Sequence, residues 1–460
     1  MSEGLVAIPP PGPPRDAIPP APVERVLDNG LRVVAFEQRN LPLVAAQLVV
    51  RCGAAAEHED EAGLSALVAA LLTQGTERRG ATEIFALADA LGARLDASSG
   101  YDASVVSVSA TTPAFPQAFE LLEEIVRRPA FAPDEVERIR TKSLSDLALT
   151  YANPSSLARL VAQRVAFGGA PYGHPLAGTA RTLHSLGRER AAWFHERFYR
   201  PDDAVLVIGG DLAADDAFAL AERVLGGWRA SAAPSGARPD APIPAPRAHT
   251  VVVDKPDAGR TALIAGRVTI ARRSEAYYPA TVATAVLAGY SGRLNQEIRV
   301  KRGLSYGAHA ALNARRAAGT FLCSTLVDHA RAGEATGVTL EAIRSLAVEP
   351  PSDDDLMTRK ATVTGAFNRA IETIDGIAGA VAEHVLYDVP LDELRAFTHR
   401  VNEVRADTVR DFASRGLIPD GFVVLVGDAA RFVDALPAHG ERRVIAHADL
   451  DLGSPSLRSG

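Results

Sequence analysis

The chain holds eleven histidines, and their spacing is the first test of what chemistry it can do. A helical zinc peptidase needs two histidines four residues apart, so that both imidazoles face one metal, with a glutamate between them to activate water. No such pair occurs: His58, His174, His184, His195, His309, His329 and His384 are scattered, and no histidine has another within three to five residues. His58 precedes Glu59, Asp60 and Glu61, which could attract a cation but read more simply as a solvated acidic loop before a helix. G-x-S-x-G, Walker A and G-x-G-x-x-G are all missing, so neither a nucleophile elbow nor a phosphate cradle is supported. Cys52 and Cys323 lack C-x-x-C spacing and read as buried small hydrophobes.

The elements that must position any site come from 460 residues, 47% hydrophobic and 23% charged, enough for two or three cores and too apolar for wholesale disorder. A net charge of −7 gives no footprint for nucleic acid. The longest uncharged runs, Ala103–Phe119 and Ala276–Gly292, contain proline and fall short of the roughly 20 apolar residues of a membrane span, so a soluble chain is expected. Met1–Pro22 has eight prolines and no basic stretch followed by an apolar one. As written it is no secretory signal, which implies a cytoplasmic chain, or a periplasmic one if a signal was removed before this numbering.

Composition divides the chain into a Pro-rich arm (1–22), a first domain (23–228), an Ala/Pro-rich linker (229–248), a second domain (249–450) and a tail (451–460). The two domains repeat each other. RPDDAVLVIGGDL at Arg200–Leu212 matches IPDGFVVLVGDA at Ile418–Ala429, and LLEEIVRR at Leu121–Arg128 matches LEAIRSLA at Leu340–Ala347. Asn29–Gly30 marks a hairpin, Glu61–Leu72 an all-round apolar and therefore buried helix, and Thr82–Leu91 an amphipathic helix capped by its threonine. An alternating strand and helices over 113–128, 133–150, 155–167 and 185–198 follow. The predicted class is α+β: two homologous domains, each a mostly antiparallel sheet with helices packed on one face.

GLSALVAALLTQGT (Gly63–Thr76), with the hairpin LDNGLRVV and the strand ending RCGAAAEHEDEAG, resembles the N-terminal domain of the insulinase/pitrilysin family of zinc metallopeptidases, the inverzincins. The likeness extends to ERIRTKSLSDLALTYANPSS (Glu137–Ser156), similar to the helix of the third zinc ligand, and to PYGHPLAGT (Pro171–Thr179). Ala66, Ala69 and Ala70 stand where the family's H-x-x-E-H has its histidines and glutamate, and Ser145–Asp146 where it has the third-ligand glutamate. The resemblance therefore implies no metal ligand and no cofactor in this chain. Alanine, the best helix former, accounts for the Gly63–Leu72 helix by itself.

GYSGRLNQEIRVKRGLSYGAHA (Gly289–Ala310) is similar to the family's second-domain run in which an arginine and a tyrosine seven residues later face the zinc site of a neighbouring domain or subunit; here these are Arg299 and Tyr306. Without the resemblance, Arg299 reads as a solvated helix residue and Tyr306 as a strand residue. With it, their guanidinium and phenol are expected to donate hydrogen bonds to a scissile carbonyl or its oxyanion. Gly289 and Gly292 read either as a bend admitting a substrate backbone or as an ordinary turn, and Gly303 as a helix cap. The resemblance implies a zinc-less subunit, inactive alone, that lends Arg299 and Tyr306 to a homologous zinc-bearing partner degrading unfolded peptides. The alternative is a non-enzymatic scaffold or peptide-binding protein of the same fold.

Overall fold

In a computed structural model, which describes residues 17–231, 243, 245, 247–417 and 421–453, two six-stranded sheets carry the chain. Most of the predicted arm, linker and tail lie outside the described residues, as does the start of the Ile418–Ala429 repeat. β1 (Val23–Val26) and β2 (Arg32–Glu37) form the hairpin expected at Asn29–Gly30, where Gly30 adopts φ +88°. Asn29 accepts the Leu31 amide at 3.1 Å and donates to the carbonyls of Leu225 and Trp228, which fixes the turn to the end of the Ala214–Leu225 helix.

β3 (Leu43–Val50), β4 (Arg94–Ser99), β5 (Ser104–Thr111) and β6 (Ala204–Gly210) complete the first sheet, ordered β1-β2-β6-β3-β5-β4 with only β2 and β6 parallel. β7 (His249–Asp254), β8 (Thr261–Thr269), β9 (Ala308–Asn313), β10 (Gly319–Val327), β11 (Phe422–Gly427) and β12 (Glu441–Ala446) form the second, ordered β12-β7-β11-β8-β10-β9. Five strands follow one scheme in both, so the repeat is two α+β domains of one topology. The sixth differs: β1 runs antiparallel to β2, whereas β12 runs parallel to β7.

Every residue of β6 and β11 is buried, and their unbroken apolar runs require cover on both faces. Helices of the same half cover one face. The other face of each sheet is covered by the opposite half. Ile377, Ala378, Val381 and Val385 of the Ile374–Leu386 helix pack on Val34, Val205 and Val207, and Leu157, Val161 and Val165 of the Pro154–Phe167 helix pack on Val251, Val253 and Val424. The halves are thus interlocked by an exchange of helices.

Local chemistry adjusts several predicted helices. The first begins at Leu64, because Gly63 at φ +98° breaks it from a short turn at Glu59–Glu61. The second spans Ala81–Ala90: Glu83 accepts the Gly80 amide at 2.8 Å, so Gly80 holds the cap and Thr82 lies within. The stretch over 185–198 is divided between Ala180–Ser185 and Arg188–Phe198.

His195, on the last of these helices, packs between Phe131 and Tyr199 and donates from Nε2 to the Val126 carbonyl at 2.7 Å. Desolvation pushes its pKa down from 6.5 to about 4. Between those values the unfolded chain binds the proton more tightly, so this contribution to stability is complete above pH 6.5 and is lost as pH falls towards 4. With a discount for the partly exposed ring, the loss by pH 5 is about 1–2 kcal/mol. Denaturant titrations at pH 7 and 5 should show that difference shrinking in His195→Gln, which keeps a donor for Val126 and does not titrate.

Candidate functional site

The alanine-bearing helix, Leu64–Leu72, is held from below. Buried Glu57 accepts the amides of Gly63 (2.9 Å) and Ser65 (2.6 Å), and buried His174 places Nε2 3.2 Å from the same carboxylate. A carboxylate at a helix N-terminus satisfies orphan N–H groups and opposes the helix dipole. The PYGHPLAGT segment therefore has a structural task here. A Cβ on Gly178 would lie 2.5 Å from the Ala62 carbonyl oxygen, and one on Gly63 2.9 Å from the Gly178 Cα, so the two backbones touch through glycine. In sequence His174 reads only as one scattered histidine and Glu57 is not picked out, since 117 residues separate them and only the fold joins them.

Ala66 and Ala70, one turn apart, are half-buried, while Ala69 is buried in the core beside Leu67, Val68 and Leu71. On the Pro133–Ala152 helix, Ser145 and Asp146 are exposed and engaged within that helix: Ser145 donates to the Thr141 carbonyl at 3.1 Å and Asp146 pairs with Lys142 at 2.5 Å. In the acidic loop Glu59 pairs with Arg164 and Glu61 with Arg190. Among the described residues no group of three or more His, Cys, Asp or Glu is placed to hold a metal ion. Methyl groups offer no lone pair, so the residues at the family's ligand positions do not fit zinc.

The second half presents a different surface. After the Tyr277–Leu287 helix the chain bends through Gly289 (φ +79°), makes a helical turn at Arg293–Asn295 and continues as a π-helical turn over Gln296–Lys301. Gly303 (φ +60°) ends that turn and β9, the outermost strand of its sheet, follows. Around Gly289 nothing lies within 4 Å of a built Cβ. At Gly292 a Cβ would fall 1.9 Å from the Ala288 carbonyl oxygen, so closing the bend requires glycine.

Arg299 lies in the π turn and is exposed, with its guanidinium carbon 5.2 Å from the Tyr290 ring centre. Among the described residues it forms no ion pair, unlike its neighbours Lys301 and Arg302, which both engage Glu297. Hydrogen bonds from Lys301, then Arg302, hold the Glu297 carboxyl below its usual range. Tyr306 is 82% exposed, and Arg260, from the loop before β8, lies 5.2 Å from its ring centre. Tyr290, itself 80% exposed, and Arg260 were not picked out from sequence. Two guanidinium–aromatic pairs thus stand at this surface, Arg299 with Tyr290 and Arg260 with Tyr306.

Two family models match the chain one after the other. The model described as "Insulinase (Peptidase family M16)" matches residues 32–180, and that described as "Peptidase M16 inactive domain" matches 185–363, including the Arg299–Tyr306 run. An uncharacterized zinc protease of Mycobacterium leprae is 25% identical over 428 residues, covering 87% of this chain and 94% of that protein. Subunit 1 of the mitochondrial cytochrome b-c1 complex of Bos taurus is 26% identical over 201 residues, 44% of this chain and 42% of that one. In fold, the chain is similar to the crystal structure of a peptidase M16 inactive domain from Pseudomonas fluorescens, with a TM-score of 0.81 at 24% identity, covering 88% of this chain and 98% of that one. Among the described residues no helix is long and apolar enough to cross a membrane. Two α+β domains of one strand order, with the family's two models matching residues 32–180 and 185–363, make this chain a member of the insulinase family of metallopeptidases, peptidase family M16.

Proposed function

We propose that this chain is the zinc-less subunit of a heterodimeric metallopeptidase, lending Arg299 and Tyr306 to the active site of a homologous zinc-bearing partner that degrades unfolded peptides. One observation carries the reading: the ligand positions Ala66, Ala69 and Ala70 offer no metal donor, while the side chains of Arg299 and Tyr306 stand in solvent with no ion pair or hydrogen bond among the described residues. Zinc, with its power to activate water, belongs to the partner in this reading. This chain binds and orients. The space beside Gly289 and the free edge of β9 offer an extended peptide main-chain partners, with Gly292 shaping the bend. The Arg299 guanidinium and the Tyr306 hydroxyl donate to the scissile carbonyl, and both bonds strengthen as negative charge develops on its oxygen.

The similarity to a cytochrome b-c1 subunit favours a second reading, a scaffold or peptide-binding protein without peptidase activity. Purification of this chain from its native host at low expression, with mass spectrometry and metal analysis, separates the two. A homologous partner bearing H-x-x-E-H, with about one zinc per complex and hydrolysis of unfolded peptides, is the expected result. Elution alone, or with itself and zinc-free, supports the scaffold and removes the role given to Arg299 and Tyr306.

A further inference from the structure

We infer that Asn295 is a positioning residue for Arg299 and Tyr306, an inference that rests on the reading of that pair given above. Its side chain is buried and makes three hydrogen bonds. Nδ2 donates to the carbonyls of Gly289 (2.9 Å) and Ala308 (2.8 Å), and Oδ1 accepts the Ala308 amide at 2.9 Å. One amide thus ties the glycine bend to the first residue of β9, and the segment it brackets carries Arg299 and Tyr306. The carbonyls can only accept and the amide N–H can only donate, so the partners themselves set which way the amide faces.

The bracket matters because the segment between is irregular. A π turn is a rare departure from the α-helix, and here Gly303, two residues past it, adopts a left-handed conformation. Ile298 and Leu304 pack the inner side of the segment into the core and Ser305 donates to the Leu326 carbonyl at 2.8 Å, while Asn295 joins its two ends. The bend has a further anchor: buried Arg359 donates to the Ser291 hydroxyl (3.0 Å) and carbonyl (2.8 Å) and is itself held by Asp355 at 2.8 Å. Arg359 fastens only the bend. Asn295 alone of the two also reaches β9, two residues beyond Tyr306.

Asn295→Asp provides the test, because it keeps shape and the acceptor for the Ala308 amide while losing both donors. Without them the Gly289 carbonyl keeps only the Gly292 amide and the Ala308 carbonyl loses its Asn295 donor, which breaks the tie between bend and strand. In the full-length chain a fluorotyrosine at position 306 should shift and broaden its fluorine resonance in Asn295→Asp as much as in Asn295→Ala. Exchange of the Ala308 amide should accelerate only in the alanine variant. In the assembled peptidase kcat should fall about 10-fold with KM within about twofold, as expected when reacting groups are displaced and binding is kept. Leu294→Val, a core packing change next door, serves as the control for stability and should leave the Tyr306 resonance as it is.

An unaltered resonance in Asn295→Asp, or an equal change in Leu294→Val, overturns the assignment and leaves Asn295 as a packing residue. If the resonance responds as expected but no peptidase assembles, the positioning of the loop stands and the peptidase reading fails.

Discussion

Arg299→Ala should lower kcat/KM of the assembled peptidase about 10²-fold, and Tyr306→Phe by a similar factor, the scale for removing one donor to a developing oxyanion. A factor of 100 corresponds to about 2.7 kcal/mol of transition-state stabilisation. Both losses should come without loss of fold. Among the described residues Arg299 has no carboxylate partner to orphan, and Tyr306 is 82% exposed, so each substitution should stay within about 0.5 kcal/mol of the native stability. Kinetic loss at constant thermal midpoint is therefore the signature to seek. Arg302→Ala provides the contrast, since it weakens an exposed pair with Glu297 in the same turn and should change kcat/KM by less than about threefold. Unchanged kinetics in both Arg299→Ala and Tyr306→Phe would sink the assigned role, whatever partner is found.

How much of this was legible before the structure depends on whether the relevant contacts are local. The hairpin at Asn29–Gly30 was readable because a left-handed turn needs those residue types. The unbroken apolar runs of β6 and β11 marked the repeat and, read for burial, also required cover on both faces. Which helix supplies that cover was not readable: an apolar stripe such as Leu157, Val161 and Val165 specifies a greasy partner but not whose sheet it is. The same limit applies to the site. Arg299 and Tyr306 were picked out only by the resemblance of their run, and Asn295 reads in sequence as one more polar residue on a helix. Its role lies in reaching Gly289 and Ala308 at once. Glu57 and His174 meet only after the fold has formed, and the cap at Gly80 escaped because Glu83, three residues on, makes a threonine cap unnecessary.

The exchange of helices carries the second large effect: Arg164→Met should destabilise the chain by about 3–5 kcal/mol, the cost of breaking a buried charge network. Arg164 is 1% exposed on the helix that the first half lends to the second sheet. It donates from Nε and Nη2 to the Leu452 carbonyl at 2.9 and 2.6 Å, from Nη1 to the Gly168 carbonyl at 2.7 Å, and pairs with Glu59 at 2.5 Å. Methionine fills much of the volume but leaves the carbonyls without donors at about 1–3 kcal/mol each, whereas Glu59, about a third exposed, turns to water. Lys142→Met, which removes an exposed pair with Asp146, should cost less than about 1 kcal/mol. Because both tryptophans, Trp193 and Trp228, belong to the first half, their fluorescence reports that half alone while far-UV circular dichroism reports both. Interlocked halves should lose structure together, so the two denaturation curves should move by the same amount in Arg164→Met. If the dichroism curve moves and the fluorescence curve does not, the halves unfold separately and the exchanged helices do not couple them.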